Sequence, residues 1–506
     1  MVALRLRLIL VLAALLAFGG ALWAPFQFDD FSLFSDPALT SPEGWRQALS
    51  PTQTRPLTWL SEWAQLQVAA EPWSFHLVNL LLHLLCVWLA YTVLLELLPV
   101  RSAQIAAMIF AVHPLQTEAV VYVFARGTLL ATLLALLAIH LWLKDRRWWA
   151  VGAFALALLA KEEVAALPLL LALLEWSTKR RRAVAMPLCA MLALALAAGA
   201  RVIYAAGAIA GSGAGAHAGI GPFEYFSYQG VAILRYLWLL LAPLQFTVDP
   251  DVRVAPLPAS LAWGVIAVVA ILSWRTVRAA GTGFWILGGL LLLLPSSSIF
   301  PAQDLAADRR MYLPLLCFAS LAGLLLKRTD LRLLGFIGAI LIALSAAQTR
   351  VWQNPATLWM DAARHAPDKI RPKRQLARVA SPPQAVELLT AAKRLAPNDS
   401  EVAADLGLAF IRDGKPELAL TEFGRALALD PGSARAMHNR GLALLLLGQT
   451  DPARADFERA LEKDPCLFDA LWNLRRMGVR RELPSGCRAT PQQKRLWREP
   501  VTSLAP

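Results

Sequence analysis

Long apolar stretches alternate with short polar ones along the first 350 residues of the chain. A membrane-spanning helix needs about 20 apolar residues, and fewer when it lies inside a helix bundle. The predicted spans are 4–24, 74–98, 103–122, 127–143, 148–160, 163–176, 183–204, 258–274, 281–295, 308–325 and 331–349. The pattern predicts an all-α, polytopic membrane bundle of about 11 transmembrane helices.

Two segments decide the topology. Arg5 and Arg7 precede the first apolar run, and bulky Trp23 makes a poor signal-peptide cleavage site, so we interpret this run as an uncleaved anchor. Whether the apolar helix 225–243, which contains Arg235, crosses the membrane stays open. If this helix lies in the interface, the later basic clusters fall on the cytoplasmic side, as the positive-inside rule requires. The C-terminal part then lies on the opposite face.

A change in composition near residue 350 predicts a domain boundary. Charged residues make up about 12% of the chain before this point and about 27% after it, so a membrane domain is followed by a soluble one. The predicted divisions are a transmembrane domain (1–350) with a first external loop (25–72) and a large external loop holding the interfacial helix (205–257), a repeat domain (356–480) and a C-terminal tail (481–506).

From Ser400 the sequence repeats with a period of 34 residues. The aligned pairs include Leu406/Arg440, Gly407/Gly441, Ala409/Ala443, Phe423/Phe457, Ala426/Ala460 and Pro431/Pro465. This period, with small residues where helices cross, is typical of tetratricopeptide repeats and predicts a short α-solenoid. Such repeats bind partner proteins. A disulfide between Cys466 and Cys487 requires an oxidising compartment, and the sequence leaves it open.

The composition excludes several classes of protein. Hydrophobic residues make up 57% of the chain and charged residues 17%, with a mean hydropathy of +0.50, which excludes a disordered or wholly soluble chain. The net charge of +13 lies in short clusters beside the predicted spans. The positive-inside rule explains these clusters, so no nucleic acid is expected as a partner. The sequence has no phosphate-binding GxxxxGK[ST] loop for ATP-driven transport.

Ionisable residues near a membrane are costly and usually functional, and here they collect in loops on the predicted outer side. The candidates are Asp29, Asp30, Arg55, His113, Glu118, Arg126, Lys161, Glu162, Asp308, Arg309 and Arg310. One of two adjacent carboxylates, Asp29 or Asp30, can act as a general base, although a solvated pair is the alternative. Arg126 can bind phosphate oxygens or lie at the interface as a structural arginine. No spacing indicates a zinc or calcium site.

Several motifs follow one another in an order that resembles a known family. They are FDD at 28–30, RPLT at 55–58, FHLVNLLLH at 75–83, FAVHP at 110–114, TEAV at 117–120 with Arg126, KE at 161–162, DR at 308–309 and YLP at 312–314. Together with the repeats they resemble the transmembrane and tetratricopeptide repeat O-mannosyltransferases. These are integral-membrane glycosyltransferases of the GT-C class, and the chain resembles a bacterial-type member.

The resemblance implies an inverting, metal-independent transfer from a polyprenyl-phosphate sugar on the outer face. No cofactor is implied, since the lipid-phosphate-linked sugar is itself the donor substrate. By motif, the implied catalytic residues are Asp29 or Asp30, and the implied donor-phosphate ligands are Arg126, Arg309, Lys161 and His113. Further site candidates are Arg55, Glu118, Glu162, Asp308 and Arg310.

The expected function is transfer of a sugar, with mannose as the first candidate, to a hydroxyl group, with protein Ser or Thr as the expected acceptor. The repeats would bind the acceptor protein. The expected location is a bacterial inner membrane, with the active site and the repeats on the periplasmic side. Two other hypotheses stay open: a membrane-anchored repeat scaffold without activity, and a polymerase or ligase of lipid-linked glycans.

Overall fold

The computed structural model describes residues 2–178, 184–208, 215, 219–278, 281–298, 300–302, 304–479, 481, 482, 484 and 487. The described residues form helices and no β-strand, which confirms the all-α prediction. The chain divides into two compact units, Met1–Asn354 and Pro355–Pro506.

The helices of the first unit vary widely in length. They are α1 (Val2–Phe18), α2 (Ser32–Ser35), α3 (Pro37–Thr40), α4 (Pro56–Leu66), α5 (Pro72–Leu97), α6 (Val100–Val112), α7 (Thr117–Val121), α8 (Arg126–Leu143), α9 (Arg147–Ala160), α10 (Leu167–Thr178), α11 (Ala185–Ala208), α12 (Pro222–Leu241), α13 (Pro256–Trp274), α14 (Thr282–Leu293), α15 (Pro314–Leu325) and α16 (Leu331–Val351). Short 3₁₀ turns join several of them.

Among the described residues, six helical segments are long and apolar enough to cross a membrane. They are Arg5–Trp23, Pro72–Leu97, Val123–Leu143, Ala185–Ala208, Pro256–Trp274 and Leu331–Val351. Four further apolar helices, α6, α9, α14 and α15, are shorter. The structure thus gives six clear candidates where the sequence predicts about 11 spans, because several predicted runs end early.

Two of the predicted spans are only partly α-helical. The run 103–122 is broken because His113 precedes Pro114 and adopts an extended conformation (φ −71°, ψ 136°), so α6 ends at Val112. A residue before proline disfavours the α conformation. The run 308–325 begins with a 3₁₀ turn, and its helix starts only at Pro314. Each break leaves a short segment outside the long α-helices that carries candidate site residues.

The predicted interfacial segment 225–243 is helical and forms most of α12. It is absent from the six spanning candidates among the described residues. Its inner face packs through Tyr225, Ile233 and Tyr236 into a second apolar core. Whether it crosses the membrane stays a prediction.

The main core of the first unit lies around α5, α6, α8 and α9, where Phe110, Trp142 and Phe154 are fully buried. Helix α15 approaches α6 closely at Gly323, where a Cβ atom would stand 2.3 Å from the carbonyl oxygen of Ser102. Peripheral α13 instead exposes apolar side chains such as Leu261. Exposed apolar surface of this kind marks a face that meets lipid or protein.

The second unit is a series of helix pairs. Its helices are α17 (Pro355–His365), α18 (Ile370–Val379), α19 (Pro382–Leu395), α20 (Ser400–Arg412), α21 (Pro416–Leu429), α22 (Ala434–Leu446), α23 (Thr450–Lys463) and α24 (Phe468–Arg476). The two complete 34-residue repeats are α20–α21 and α22–α23. A disulfide joins Cys466 to Cys487, with 5.3 Å between their Cα atoms.

In each complete repeat, a glycine of the first helix packs against a phenylalanine ring of the second helix. A Cβ atom at Gly441 would stand 2.7 Å from the ring of Phe457, and one at Gly407 would stand 2.7 Å from the ring of Phe423. These distances are shorter than ordinary van der Waals contact, so the small residue is required for the two helices to pack.

We predict opposite effects from two Gly→Ala substitutions in this unit. Gly441→Ala should destabilise the repeats by about 1–3 kcal/mol, because the added methyl group overpacks the helix pair. Gly424→Ala, at a helical position with open space around it, should stabilise them by about 0.5–1 kcal/mol through helix propensity. Thermal unfolding of the full chain would measure both changes. Equal effects of the two variants would contradict the packing argument.

Candidate functional site

The predicted first external loop, residues 25–72, folds back over one end of the bundle. Its helix α4 is attached to the preceding loop by two indole N–H groups, Trp59 donating to the Gly44 carbonyl (3.1 Å) and Trp63 to the Ser41 carbonyl (2.9 Å). On its other side, the Thr58 hydroxyl donates to the Ala160 carbonyl at the end of α9 (2.8 Å). Helix α4 is therefore held between the loop and the membrane bundle.

Gly127 permits a close approach of three segments at this end. A Cβ atom there would stand 3.0 Å from Oγ1 of Thr58 and 3.2 Å from the carbonyl oxygen of Ala160. The first turn of α8 can therefore lie directly against α4 and the end of α9. This contact brings the loops after α1, α7 and α9 to one place.

A cavity of about 650 Å³ opens beside α4. This volume lies in the range of small-molecule sites. Its walls combine charged, hydroxyl and aromatic side chains: Ser32, Leu33, Asp36, Leu39, Gln53, Thr54, Arg55, Thr58, Trp59, Glu62, Phe124, Gly127 and Lys161. Of the sequence-predicted residues, Arg55 and Lys161 line it.

The two adjacent aspartates lie in different environments. Asp30 has no exposed surface, and its two carboxylate oxygens accept the backbone N–H groups of Gln27 (2.9 Å) and Phe124 (2.8 Å). Burial raises the pKa of Asp30 to about 8, although these two N–H donors act in the opposite direction. Asp30 thus connects the first loop to the segment before α8 and is inaccessible to a substrate.

Asp29 is only half-buried, and it faces the hydroxyl group of Tyr122. Burial, followed by the charge of Asp29, raises the pKa of Tyr122. The neighbouring Phe28 stacks on the Tyr122 ring with 5.4 Å between centroids, and its φ of 38° is uncommon for a residue other than glycine. The constrained turn presents Asp29, rather than Asp30, to its surroundings.

Arg309 also lies over the Tyr122 ring, with its guanidinium carbon 5.9 Å from the ring centroid. It forms an ion pair with buried Glu118, which also accepts the Arg309 backbone N–H (3.0 Å). A second ion pair joins it to Asp304 (3.0 Å). The Arg309 side chain keeps 17% exposure, so the structure brings Asp29, Glu118 and Arg309 together around Tyr122.

The tip between α9 and α10 contributes two further ion pairs. Arg55 forms two hydrogen bonds with Glu162 (2.6 and 3.0 Å), and Lys161 contacts Glu163 (2.7 Å) and the Thr128 hydroxyl (2.6 Å). Burial alone would raise the pKa of Glu162, but the Arg55 guanidinium lowers it to about 2. Both cations lie on the cavity wall, where they favour an anionic group.

Arg126 is completely buried beneath the cavity. Its guanidinium donates to Oδ1 of Asn79 (3.2 Å) and to the carbonyl oxygens of Ser61 (3.4 Å) and Phe75 (3.5 Å). In this arrangement it touches protein groups on all sides. Arg126 therefore positions neighbouring segments in this structure. A direct contact with donor phosphate would require the guanidinium to leave these partners.

The remaining predicted residues face α12 instead of the cavity. His113 accepts the Leu115 N–H (3.2 Å), Asp308 pairs with Arg235 (2.5 Å), and Arg310 donates to the Asp304 carbonyl (2.6 Å). These contacts organise the connection between α12 and the segment before α15. Their roles at a site stay predictions.

Glu62 lies outside every sequence motif and was not among the predicted site residues. Its side chain lines the cavity with 7% exposure. Burial raises the pKa of Glu62 to about 7, while Arg126 and Arg55 act in the opposite direction. A single acidic residue within the otherwise uncharged helix 56–66 was the available signal. Its burial, which gives that signal meaning, depends on the fold.

Within the described residues, no group of three or more His, Cys, Asp or Glu side chains could hold a metal ion. Metal independence of the implied reaction stays a prediction. What the site offers is a half-buried carboxylate, a nearly buried carboxylate and several cations beside a polar cavity. This combination suits acid–base chemistry on a phosphate-bearing substrate.

A family model described as tetratricopeptide repeat matches residues 404–465, which confirms the repeat prediction. Protein O-mannosyl-transferase Tmtc1 of Drosophila melanogaster is 39% identical over 107 residues, which cover 20% of this chain and 12% of that protein. Protein O-mannosyl-transferase TMTC3 of Mus musculus is 32% identical over 141 residues, covering 25% and 15% respectively. The matched stretches span less than a sixth of either relative's length.

Among solved structures, the crystal structure of MamA is 21% identical and covers 25% of this chain and 78% of that chain, with a TM-score of 0.22. The similarity to named O-mannosyl-transferases supports the predicted resemblance in part. A bacterial origin stays a prediction.

The raised pKa of Glu62 predicts that the free energy of unfolding of the chain depends on pH. Its pKa is raised from 4.5 to about 7 in the folded chain, so folding favours the protonated form. The associated stabilisation is complete below about pH 4.5 and is lost as the pH rises through about 7, by on the order of 3 kcal/mol. Glu62→Gln cannot titrate. Its thermal midpoint should therefore rise relative to the wild type between pH 5 and pH 8.

Thermal unfolding of the detergent-solubilised chain, followed by intrinsic fluorescence, would measure this difference. Glu71→Gln is the matched control, because Glu71 is an exposed glutamate of the same loop, and its curve should parallel the wild type. Parallel curves for Glu62→Gln as well would show that Glu62 titrates normally.

Proposed function

We propose that the chain is a membrane glycosyltransferase that moves a hexose from a polyprenyl-phosphate carrier to a hydroxyl group. Mannose is the first candidate sugar, and protein Ser or Thr is the proposed acceptor. The observation that carries the proposal is the cluster of Asp29, Tyr122 and Arg309 at the end of the bundle that also holds the polar cavity. The partial similarity to proteins named O-mannosyl-transferases supports it.

Asp29 is the proposed general base. The acceptor hydroxyl gives its proton to Asp29 while its oxygen forms a bond to the anomeric carbon of the sugar. The bond from that carbon to the phosphate oxygen breaks, and polyprenyl phosphate leaves with the electron pair. Half-buried Asp29 suits this role better than Asp30, whose two oxygens already accept backbone N–H groups.

Arg309 and Lys161 are the proposed partners of the leaving phosphate. Both side chains are cationic and partly accessible, and preorganised cations stabilise negative charge that develops on a leaving group. Arg55 and Glu162 hold the tip on which Lys161 lies. Fully buried Arg126 is a positioning residue in this proposal, because it supports α4 and the start of α5 from beneath.

The proposed location is an inner membrane with the repeats on the periplasmic face. The disulfide between Cys466 and Cys487 supports this side, since disulfides persist in oxidising compartments. The proposed count of about 11 spans includes short helices inside the bundle, such as α9 and α10. On the same face as the site, the repeats would bind the acceptor protein.

Asp29→Asn should reduce sugar transfer at least about 100-fold, because it removes the general base. The measurement is transfer of labelled mannose from polyprenyl-phosphate-mannose to protein in a periplasmic extract, using the purified full chain in detergent. Asp251→Asn, at an exposed loop aspartate, is the control and should retain wild-type transfer.

The destination of the label separates the proposal from its alternatives. Label in protein from the wild type, lost in Asp29→Asn, would support the proposed reaction. Label only in glycan would indicate a lipid-linked glycan polymerase or ligase. Equal transfer by wild type and Asp29→Asn would remove Asp29 from the mechanism. Absence of transfer from every carrier-linked sugar, with a partner still bound by the repeats, would favour a scaffold.

A further inference from the structure

Glu62 is a nearly buried carboxylate without a protein partner. Its side chain is 7% exposed and lines the cavity. No residue that the structure describes donates a hydrogen bond to it or forms an ion pair with it within 4 Å. The charged groups that act on it are Arg126 from α8, Arg55 from the start of α4, and Asp30 from the turn after α1. The carboxylate therefore depends on the contents of the cavity for its hydrogen bonds.

Other polar side chains of α4 do have partners. Thr58 donates to Ala160, Trp59 to Gly44, and Trp63 to Ser41, while the Ser61 hydroxyl donates to the Thr58 carbonyl (2.7 Å). These contacts hold the helix without any contribution from Glu62. The unpaired carboxylate therefore points to a ligand in the cavity.

The cavity wall around Glu62 selects the chemistry of that ligand. A carboxylate on a cavity wall accepts hydrogen bonds from hydroxyl groups and disfavours an adjacent phosphate. The cations Lys161 and Arg55, on the same cavity wall, favour a phosphate. Trp59 and Phe124 add apolar surface to this wall. A sugar ring carrying a phosphate matches this distribution, with its hydroxyl groups toward Glu62 and its phosphate toward Lys161.

We propose that Glu62 accepts hydrogen bonds from hydroxyl groups of the donor sugar and is the residue that determines which sugar the site accepts. This inference rests on the proposed glycosyltransferase function and adds a specificity residue to it. A site built to bind a hydroxyl group rejects an analogue without that group, because its buried polar partner is then left unpaired. Above pH 7, where Glu62 is ionised, the expected loss of affinity is about 10- to 100-fold.

The test measures binding separately from transfer. The probes are citronellyl-phosphate derivatives of mannose, glucose and galactose, each with its monodeoxy analogues, titrated into the purified full chain in detergent by calorimetry. The proteins are the wild type, Glu62→Gln, Glu62→Leu and the exposed control Glu71→Gln. Since no described residue hydrogen-bonds to Glu62, both Glu62 variants should fold, which their thermal unfolding would verify.

For the preferred sugar, removal of one particular hydroxyl group should weaken binding to the wild type and to Glu71→Gln by about 10- to 100-fold. In Glu62→Leu, which has no hydrogen-bond acceptor for that hydroxyl, the same removal should weaken binding by less than about threefold. In Glu62→Gln the loss of affinity should be intermediate. A penalty that is unchanged in both Glu62 variants would overturn the inference. Absence of binding of all the probes to the wild type would also overturn it.

Labelled-sugar transfer, measured in parallel, distinguishes this inference from the proposed function. If sugar binding depends on Glu62 but no sugar is transferred, the sugar-binding role of Glu62 stands and the transferase function is rejected. If transfer depends on Asp29 but the loss of affinity on removing a hydroxyl group is the same with and without Glu62, the proposed transferase function stands and the role of Glu62 is rejected.

Discussion

The burial of the Arg126 guanidinium is the constraint on which this end of the bundle depends. A buried cation is tolerated only when its N–H groups are hydrogen-bonded and opposite charge lies nearby. Asn79 of α5 and two backbone carbonyl groups, of Ser61 and Phe75, supply the hydrogen bonds. Asp30 and Glu62 supply the nearby acidic groups. The Arg126 guanidinium therefore links α8 to α4 and to the start of α5.

Around this cation, three acidic residues acquire different roles from their surroundings. Both carboxylate oxygens of Asp30 accept backbone N–H groups. Glu62 lines the cavity without a hydrogen-bond partner among the described residues, and Asp29 is half-buried beside Tyr122. Burial raises the pKa of Asp30 to about 8 and that of Glu62 to about 7, although the intrinsic chemistry of the two carboxyl groups is nearly the same. This separation of environments is the usual way in which a protein assigns acid and base roles to neighbouring carboxyl groups.

The motifs that resemble the O-mannosyltransferase family include residues of two kinds. Asn79 and His83, from the motif on α5, hold the interior: Asn79 joins Arg126 to the Tyr122 carbonyl, and His83 lies 2.7 Å from the Tyr312 hydroxyl. Asp29 and Lys161 instead retain access to their surroundings. A motif places both kinds at defined positions along the chain, but it does not distinguish packing from contact with a ligand. Burial and hydrogen-bond partners make that distinction.

The sequence by itself determined the helical class, the change of composition near residue 350 and the tetratricopeptide repeats, because apolar run length and a 34-residue period are local properties of the chain. It overestimated the clear spans, since prolines such as Pro114 end helices inside apolar runs. Only the tertiary structure separated Asp29 from Asp30, buried Arg126 and revealed Glu62. These outcomes depend on contacts between segments far apart in sequence, and the degree of burial and pairing of a charge exists only once those segments meet.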